Sequence, residues 1–401
     1  MATQRRTPGS QASLREANRA RIVNAIKKHG GLSQVELAGI TGLSAATVSN
    51  IVKELSLSGV LHTTQSIRSG RRAQHVSLAH ALGLVAGVHF STRHLHVALS
   101  DVAHTVVAEH HMPLARDHRA DNELDRVARL LMDMLESLDA TNNDLLAVGV
   151  ALPAPLNRAT GTTARTGMMR GWDGVVINAA LENRIKRPVF TDNSANLSAL
   201  AESRLGAGRG KNISVTLEVG DRIGAGIVLD GKIFRGAHGV AGELGHTVLR
   251  EDGPLCLCGN RGCLEAIAGG QAILELLKEH TAYRKLADVV VGAMAGDSSC
   301  TRVIGDAGRQ LGIATANLCN VLDPERIIVN GSLAQAGEIL LGPMRHALER
   351  SIIFDTALAP EIVQGQLGER SAVLGAVEFA IDAVTVETTF HTSEEPTVGF
   401  S

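Results

Sequence analysis

Three cysteines fall within eight residues, Cys256, Cys258 and Cys263, in a stretch that also holds Gly259 and Gly262. Thiols packed this densely in a glycine-containing loop can wrap a single ion, and the loop must then fold tightly around it. His246, ten residues before Cys256, completes a set of one nitrogen and three sulfurs. Such a set predicts one structural Zn2+ per chain, because four protein ligands leave no open position for an activated water. The alternative is a group of ordinary buried thiols. Cys300 and Cys319 lie in helical stretches and read as core residues. An odd total of five cysteines argues for an intracellular metal site over a disulfide framework, and the expected compartment is the cytoplasm.

The chain has 401 residues, 44% of them apolar and 20% charged, enough for two or three globular domains. No apolar run reaches the ~20 residues needed to span a bilayer. Charge is unevenly spread. Residues 1–80 hold eleven Lys or Arg against three Asp or Glu, so this segment carries +8 and the remainder −10 of a net −2. A basic segment on an acidic body predicts a polyanion partner for that segment alone, or else a solvated basic face.

Within those residues Ile22, Val23 and Ile26 recur at helical spacing before Gly30-Gly31. Ser33 offers an N-cap for a short helix carrying Val35, Leu37 and Ala38, Gly42 suits a tight interhelical turn, and Ser44 can cap the next helix. There Val48, Ile51, Val52 and Leu55 form one apolar stripe. The other face carries Ala46, Thr47, Ser49, Asn50 and Lys53, short or polar side chains suited to a major groove. A hairpin follows with Ser69-Gly70-Arg71-Arg72 at its tip, where Arg71 and Arg72 can reach phosphates or a narrow minor groove. Together these features predict a winged helix-turn-helix that binds double-stranded DNA through Ser44, Ala46, Thr47, Ser49, Asn50, Lys53, Arg71 and Arg72. A three-helix protein-binding module is the competing reading.

Beyond residue 80, β-rich runs (LVAGVHF, LHVALSD and Leu145–Leu152) alternate with helical patterns such as Asp121–Leu138, and strand-then-helix units recur at Val189–Thr191, Ile213–Val219 and Ile327–Val329. This is an α/β architecture with mixed sheets. The last stretch, 385–401, is Thr/Glu-rich and reads as a mobile tail.

Gly242-Glu243-Leu244-Gly245-His246 and the Cys256–Glu265 segment match the GE[IL]GH and CxCGxxGCxE signatures of the ROK family of repressors and sugar kinases. Gly171-Trp172, Asp192-Asn193-Ser194-Ala195-Asn196, Gly224-Ala225-Gly226 and Asp323-Pro324 add supporting matches. The chain thus resembles the family's regulator branch, from about Leu14 to Val384. The resemblance implies a two-lobed actin-like ATPase fold behind the winged helix-turn-helix, with domains at 1–80, 81–195 (with part of 375–390) and 196–374, the last holding the zinc loop and an oligomerisation surface. It implies a homodimer or homotetramer, and a sugar or sugar-phosphate effector held by Asn193, Glu243, His246 and Glu265. Met168 stands where an Asn commonly precedes the Gly-Trp pair.

Kinase members of the family place an acid in an early Asp-x-Gly-Gly-Thr-Lys hairpin, which reads His89-Phe90-Ser91-Thr92-Arg93-His94 here. Their general base corresponds to Ser194, a poor base at neutral pH. Their second phosphate loop, Gly-Thr-Gly, reads Gly220-Asp221-Arg222. Asp192 is an inadequate substitute, because on an extended segment it would be displaced by two residues, roughly 6–7 Å. The expectation is a catalytically inactive cleft with no catalytic residues, in a repressor of carbohydrate-uptake or catabolism genes. An active sugar kinase, and a regulator governed by a protein partner, are the alternatives.

Overall fold

The computed structural model describes residues 11–68, 71–115, 118–164, 167–280, 283–353, 355 and 358–384. The tip residues Ser69 and Gly70, the side chains of Arg71 and Arg72, and the predicted tail at 385–401 lie outside the described residues. The chain forms two compact units, one of residues 1–84, 100–105 and 381–401, the other of residues 85–99 and 106–380. Among the described residues no single helix is long and apolar enough to cross a membrane.

The first unit begins with helix α1 (Gln11–His29), followed by the short strand β1 (Leu32–Ser33), α2 (Gln34–Thr41) and α3 (Ala45–Leu57), then a hairpin of β2 (Leu61–Arg68) and β3 (Arg71–Leu78). Local chemistry explains each boundary. Ser33 accepts the Glu36 amide while the Glu36 carboxylate accepts the Ser33 amide, a reciprocal capping box that starts α2. Gly42 ends it in the left-handed region at φ 68°, where a Cβ is disfavoured. Ser44 then caps α3 by accepting the Thr47 amide. Ile22 and Ile26 of α1, Leu37 of α2, Val48 and Leu55 of α3 and Val76 of β3 are all buried in this core. Burial of this kind contributes about 1.5–3 kcal/mol per large aliphatic side chain. The β-sheet order is β1-β3-β2, the arrangement of a wing. Arg68 pairs with Arg71, and Arg71 and Arg72 open the returning strand instead of forming the tip. The buried Lys27 donates to the carbonyls of Asp382 and Val384 in the same unit.

The second unit holds two five-stranded sheets. One has the order β6-β5-β4-β7-β8, from β4 (Leu84–Phe90), β5 (His94–Asp101), β6 (Val106–Pro113), β7 (Leu145–Leu152) and β8 (Val189–Asn193). Helix α4 (Ala120–Glu136) turns Leu124, Val127 and Leu131 inward, and α5 (Ile177–Ile185) leads into β8, which runs parallel to β7. Helix α6 (Ser194–Leu205) leaves that strand directly.

The second sheet has the order β11-β10-β9-β12-β13, from β9 (Ile213–Val219), β10 (Ile223–Leu229), β11 (Lys232–Ile233), β12 (Arg326–Asn330) and β13 (Glu361–Gln364). Pairing is antiparallel between β9 and β10 and parallel from β9 through β12 to β13, the mixed pattern expected of the sequence. Helices α7 (Leu264–Ala268), α8 (Gly270–Leu276), α9 (Leu286–Met294), α10 (Ser298–Leu322) and α11 (Glu338–Glu349) follow in chain order. Cys300, Ile304, Leu311 and Cys319 of α10 share one core with Val215, Leu217, Ile327 and Val329, so the two cysteines are core thiols as expected. Helix α12 (Ser371–Ala383) closes the chain's described part.

Candidate nucleic-acid interface, metal centre and cleft

On α3 the stripe Val48, Ile51, Val52 and Leu55 is buried, while Ala46, Ser49, Asn50 and Lys53 are exposed and Thr47 half-buried. One helix therefore offers short polar groups outward and anchors itself by its back. The anchoring includes an ion-pair clamp: Glu54 accepts from Arg19 at 2.7 Å and from Arg15, both on α1. Those guanidiniums, Arg19 foremost, hold the Glu54 carboxyl below its usual range. The Ser44 hydroxyl is engaged in the cap and lies 2.8 Å from the Thr47 hydroxyl.

The thiol loop is organised by backbone geometry. Cys256 donates its amide to Asn260, Gly259 returns an amide to Cys256, and Leu264 bonds back to Thr247 beside the histidine. Gly262 sits at φ 65°, and a Cβ there would meet the Arg250 carbonyl at 1.4 Å. This turn admits no side chain. Cys256, Cys258 and Cys263 are buried, and with His246 their ligand atoms all lie within 4.8 Å of one another. Cys256 Sγ is 3.5 Å from His246 Nδ1, and Cys258 Sγ is 3.6 Å from Cys263 Sγ. A tetrahedral Zn2+ with ordinary bond lengths separates S from N by about 3.6 Å and S from S by about 3.8 Å, so the donor set fits that ion. Burial and the neighbouring thiols push Cys263 up to about 12, a crowding that a bound cation would relieve by taking thiolates. His246 Nε2 lies 3.9 Å from the Glu243 carboxylate, which is placed to orient the ring from outside.

The cleft residues converge in part. Asn193 caps α6 by accepting the Ala195 amide, and its Nδ2 lies 3.5 Å from Glu243 Oε1. Glu265 accepts the Ile223 amide at 3.0 Å. Desolvation, then the Glu265 charge, pushes Glu243 up to about 7. Asn193, Glu243 and His246 thus form one contiguous group, with Glu265 electrostatically coupled to it. Glu265 also lines a cavity of about 570 Å3 with Arg93, Asp221, Arg222 and Cys256.

The residues expected at the kinase-type positions are engaged with neighbouring side chains. Asp192 lies in β8, Asn193 after it is still extended at φ −63° and ψ 139°, and Ser194 then opens helix α6. The buried Asp192 is engaged with Arg235 at 2.6 Å and Asn196 at 2.9 Å. Arg93, from the β4–β5 hairpin, reaches Asp221 on the β9–β10 turn at 3.0 Å, joined by the Thr92 hydroxyl at 3.3 Å. Arg222 bonds the carbonyl of buried Met168 at 2.5 Å. Trp172 is buried against Phe90 and donates to His118. Sequence reasoning singled out His89, Ser194 and Gly220–Arg222, but missed the Arg93–Asp221 and Asp192–Arg235 pairs. It also missed that His96 and His111 line one cavity with His89 and His94. The alternating His94-x-His96 pattern was the available signal.

These elements define a winged helix-turn-helix protein with an actin-like, sugar-kinase-type body. The chain belongs to the ROK family, whose model matches residues 85–383, and a winged helix-turn-helix DNA-binding model matches residues 15–61. The chain is similar to the xylose repressor of Caldicellulosiruptor bescii, 26% identical over 393 residues that cover 93% of this chain and 97% of the relative. It is similar to the DNA-binding transcriptional dual regulator NagC of Escherichia coli K12, 30% identical over 392 residues covering 92% and 94%. A glucokinase of Thermotoga maritima is 33% identical over 281 residues, covering 66% of this chain and 87% of the enzyme. Among solved structures, a ROK family transcriptional regulator homologous to the Escherichia coli MLC protein shares the fold at a TM-score of 0.75 and 24% identity, covering 92% of this chain and 97% of that one.

Proposed function

We propose that this chain is a DNA-binding transcriptional repressor of carbohydrate-uptake or catabolism genes, whose kinase-like body senses a sugar or sugar phosphate and transfers no phosphate. The observation that carries the reading is the Arg93–Asp221 ion pair. It joins the two loops that would cradle phosphate in a kinase and puts a carboxylate where a polyphosphate would need donors. The engagement of Asp192 with Arg235 on one oxygen and Asn196 on the other leaves that carboxylate poorly placed to take a sugar proton. Similarity to two repressor-type relatives along more than nine-tenths of the chain supports the regulatory half of the reading.

In this reading α3 enters the major groove with Ala46, Thr47, Ser49, Asn50 and Lys53, Ser44 shapes its N-terminus, and Arg71 and Arg72 contact the backbone or minor groove. A homodimer would present two such helices about 34 Å apart on a palindromic operator. One Zn2+ per chain, held by His246, Cys256, Cys258 and Cys263, would fix the loop between Glu243 and Glu265. Asn193, Glu243 and Glu265 would bond sugar hydroxyls, with His246 committed to the metal. The domain division follows the family pattern, with the DNA-binding head at 1–80 and the lobes at 81–195 and 196–374. A ligand shifts the DNA affinity only as far as it binds one state of the body better than the other.

The test is fluorescence anisotropy on genomic fragments across a salt series, with coupled measurement of sugar-dependent ATP turnover. Salt-sensitive, saturable binding without turnover supports the proposal. Sustained phosphorylation of any hexose, abolished by Asp192→Asn, would overturn it in favour of an active kinase.

A further inference from the structure

Four imidazoles face one cavity of about 300 Å3 in the second unit: His89 from β4, His94 and His96 from β5, and His111 from β6. The cavity is also lined by Ser332, Glu218 and Glu369. The arrangement follows from strand geometry. Residues two apart on a strand share a face, which puts His94 and His96 together. The hairpin closes with the Ser91 amide on the His94 carbonyl, which sets His89 opposite His96. His94 and His111 have ring centres 4.9 Å apart, and His96 and His111 5.2 Å.

Those separations are informative. With a metal–nitrogen bond of about 2.0–2.1 Å and a ring centre about 1.2 Å further out, two imidazoles on one ion at about 90–110° have centres about 4.6–5.3 Å apart. Both distances fall in that range, with the His96 and His111 planes at 75° and the His94 and His111 rings stacked at 23°, an orientation in which their lone pairs do not converge until a ring turns. Their nitrogens are not yet gathered: among the described residues only the His246–cysteine group has every ligand atom within 4.8 Å of the others. Bringing the imidazole nitrogens onto an ion requires side-chain rotation, which the exposed position of His94 and His111 permits.

A second layer is already in place. Glu109 accepts from His96 Nε2 at 2.6 Å, and is itself gripped by Arg370 through Nε at 2.9 Å and a terminal nitrogen at 2.7 Å. That leaves His96 Nδ1 as the nitrogen able to ligate, the carboxylate–histidine arrangement that orients metal-bound imidazoles.

We propose that His94, His96 and His111, with His89 facing the same cavity, form a second and reversible binding site for a borderline divalent transition ion such as Co2+, Ni2+ or Zn2+. Imidazole ligands and nearby carboxylates suit these ions. The site is chemically distinct from the thiol loop, because it contains no sulfur. It lies where the β4–β5 hairpin meets the Arg93–Asp221 pair.

The experiment uses full-length protein without an affinity tag, pre-loaded with one equivalent of Zn2+ and titrated with Co2+ under visible absorption. We expect a further equivalent to bind, with ligand-field bands and no thiolate-to-cobalt charge transfer. The double variant His94→Ala/His111→Ala, altered only at exposed side chains, should lose that equivalent by at least tenfold in affinity and keep a normal melting curve. Glu109→Gln should weaken it about tenfold through the loss of His96 orientation. Absence of a sulfur-free cobalt spectrum, or one unchanged in the double variant, overturns the proposal. Cobalt bound solely with thiolate character overturns it too, while leaving the loop site standing.

Discussion

Arg93 and Asp221, 128 residues apart in sequence, meet at 3.0 Å across the cleft. Each side chain is about 30% exposed, at 30% and 29%, so solvent screens the pair and its worth is modest. In a double-mutant cycle with Arg93→Ala and Asp221→Ala, chemical denaturation should give a coupling of about 0.2–1 kcal/mol, shrinking with added salt. A coupling of zero at low salt would mean that the ion pair does not hold the cleft.

Removing the metal from the thiol loop should destabilise the chain. A ligand present at a thousandfold excess over its dissociation constant contributes about 4 kcal/mol, so strong chelation should lower the melting temperature by several degrees. Cys258→Ser should show the same loss without chelator. Gly262→Ala should match it in zinc content by mass spectrometry, because the added methyl collides with the Arg250 carbonyl. A zinc content and melt unaffected by Cys258→Ser would refute the assignment.

The recognition helix makes separable predictions. Asn50→Ala should cost about 1–3 kcal/mol of operator binding and relax preference at one base pair. Lys53→Ala should weaken binding about equally on all sequences and reduce the salt slope by about one. Both residues are exposed on α3, so neither variant should change the melting curve. Identical specificity profiles for wild type and Asn50→Ala would argue that this face does not read bases.

Glu218 makes stability depend on pH. Desolvation pushes its carboxyl from 4.5 up to about 7, only partly opposed by hydrogen bonds from Ser198, Ser371 and Asn330. The folded protein keeps a proton that the unfolded chain releases, so between about 4.5 and 7 this group makes stability fall as pH rises. Glu218→Gln removes the effect. The variant should therefore gain on the wild type between about pH 5 and about pH 8, measured as the difference of two denaturation free energies. A difference independent of pH would show that the carboxyl titrates normally.

The legible parts of the molecule were those governed by contacts a few residues apart. The Ser33–Glu36 box and the Ser44 cap each close over three residues, and the stripe Val48, Ile51, Val52, Leu55 follows from the helical repeat alone. The cysteine loop was equally readable, since its three thiols span only eight residues. Asn193, between Asp192 and Ser194, is extended as expected, and its side chain caps the helix that begins at Ser194. Arg71 and Arg72 were put one step too far into the turn, since the hairpin register closes at Arg68 and Arg71.

By itself the amino-acid order determined a basic head with capped helices, a thiol-and-histidine loop, and an α/β body of mixed sheets. Folding alone decided which distant charges would meet: Arg93 with Asp221, Asp192 with Arg235, and four histidines from three strands around one cavity. Caps and turns are set by bonds within a few residues, whose geometry the local chain already dictates. Ion pairs and clustered rings depend on strand order and on which sheet faces which, and no short stretch of sequence carries that information.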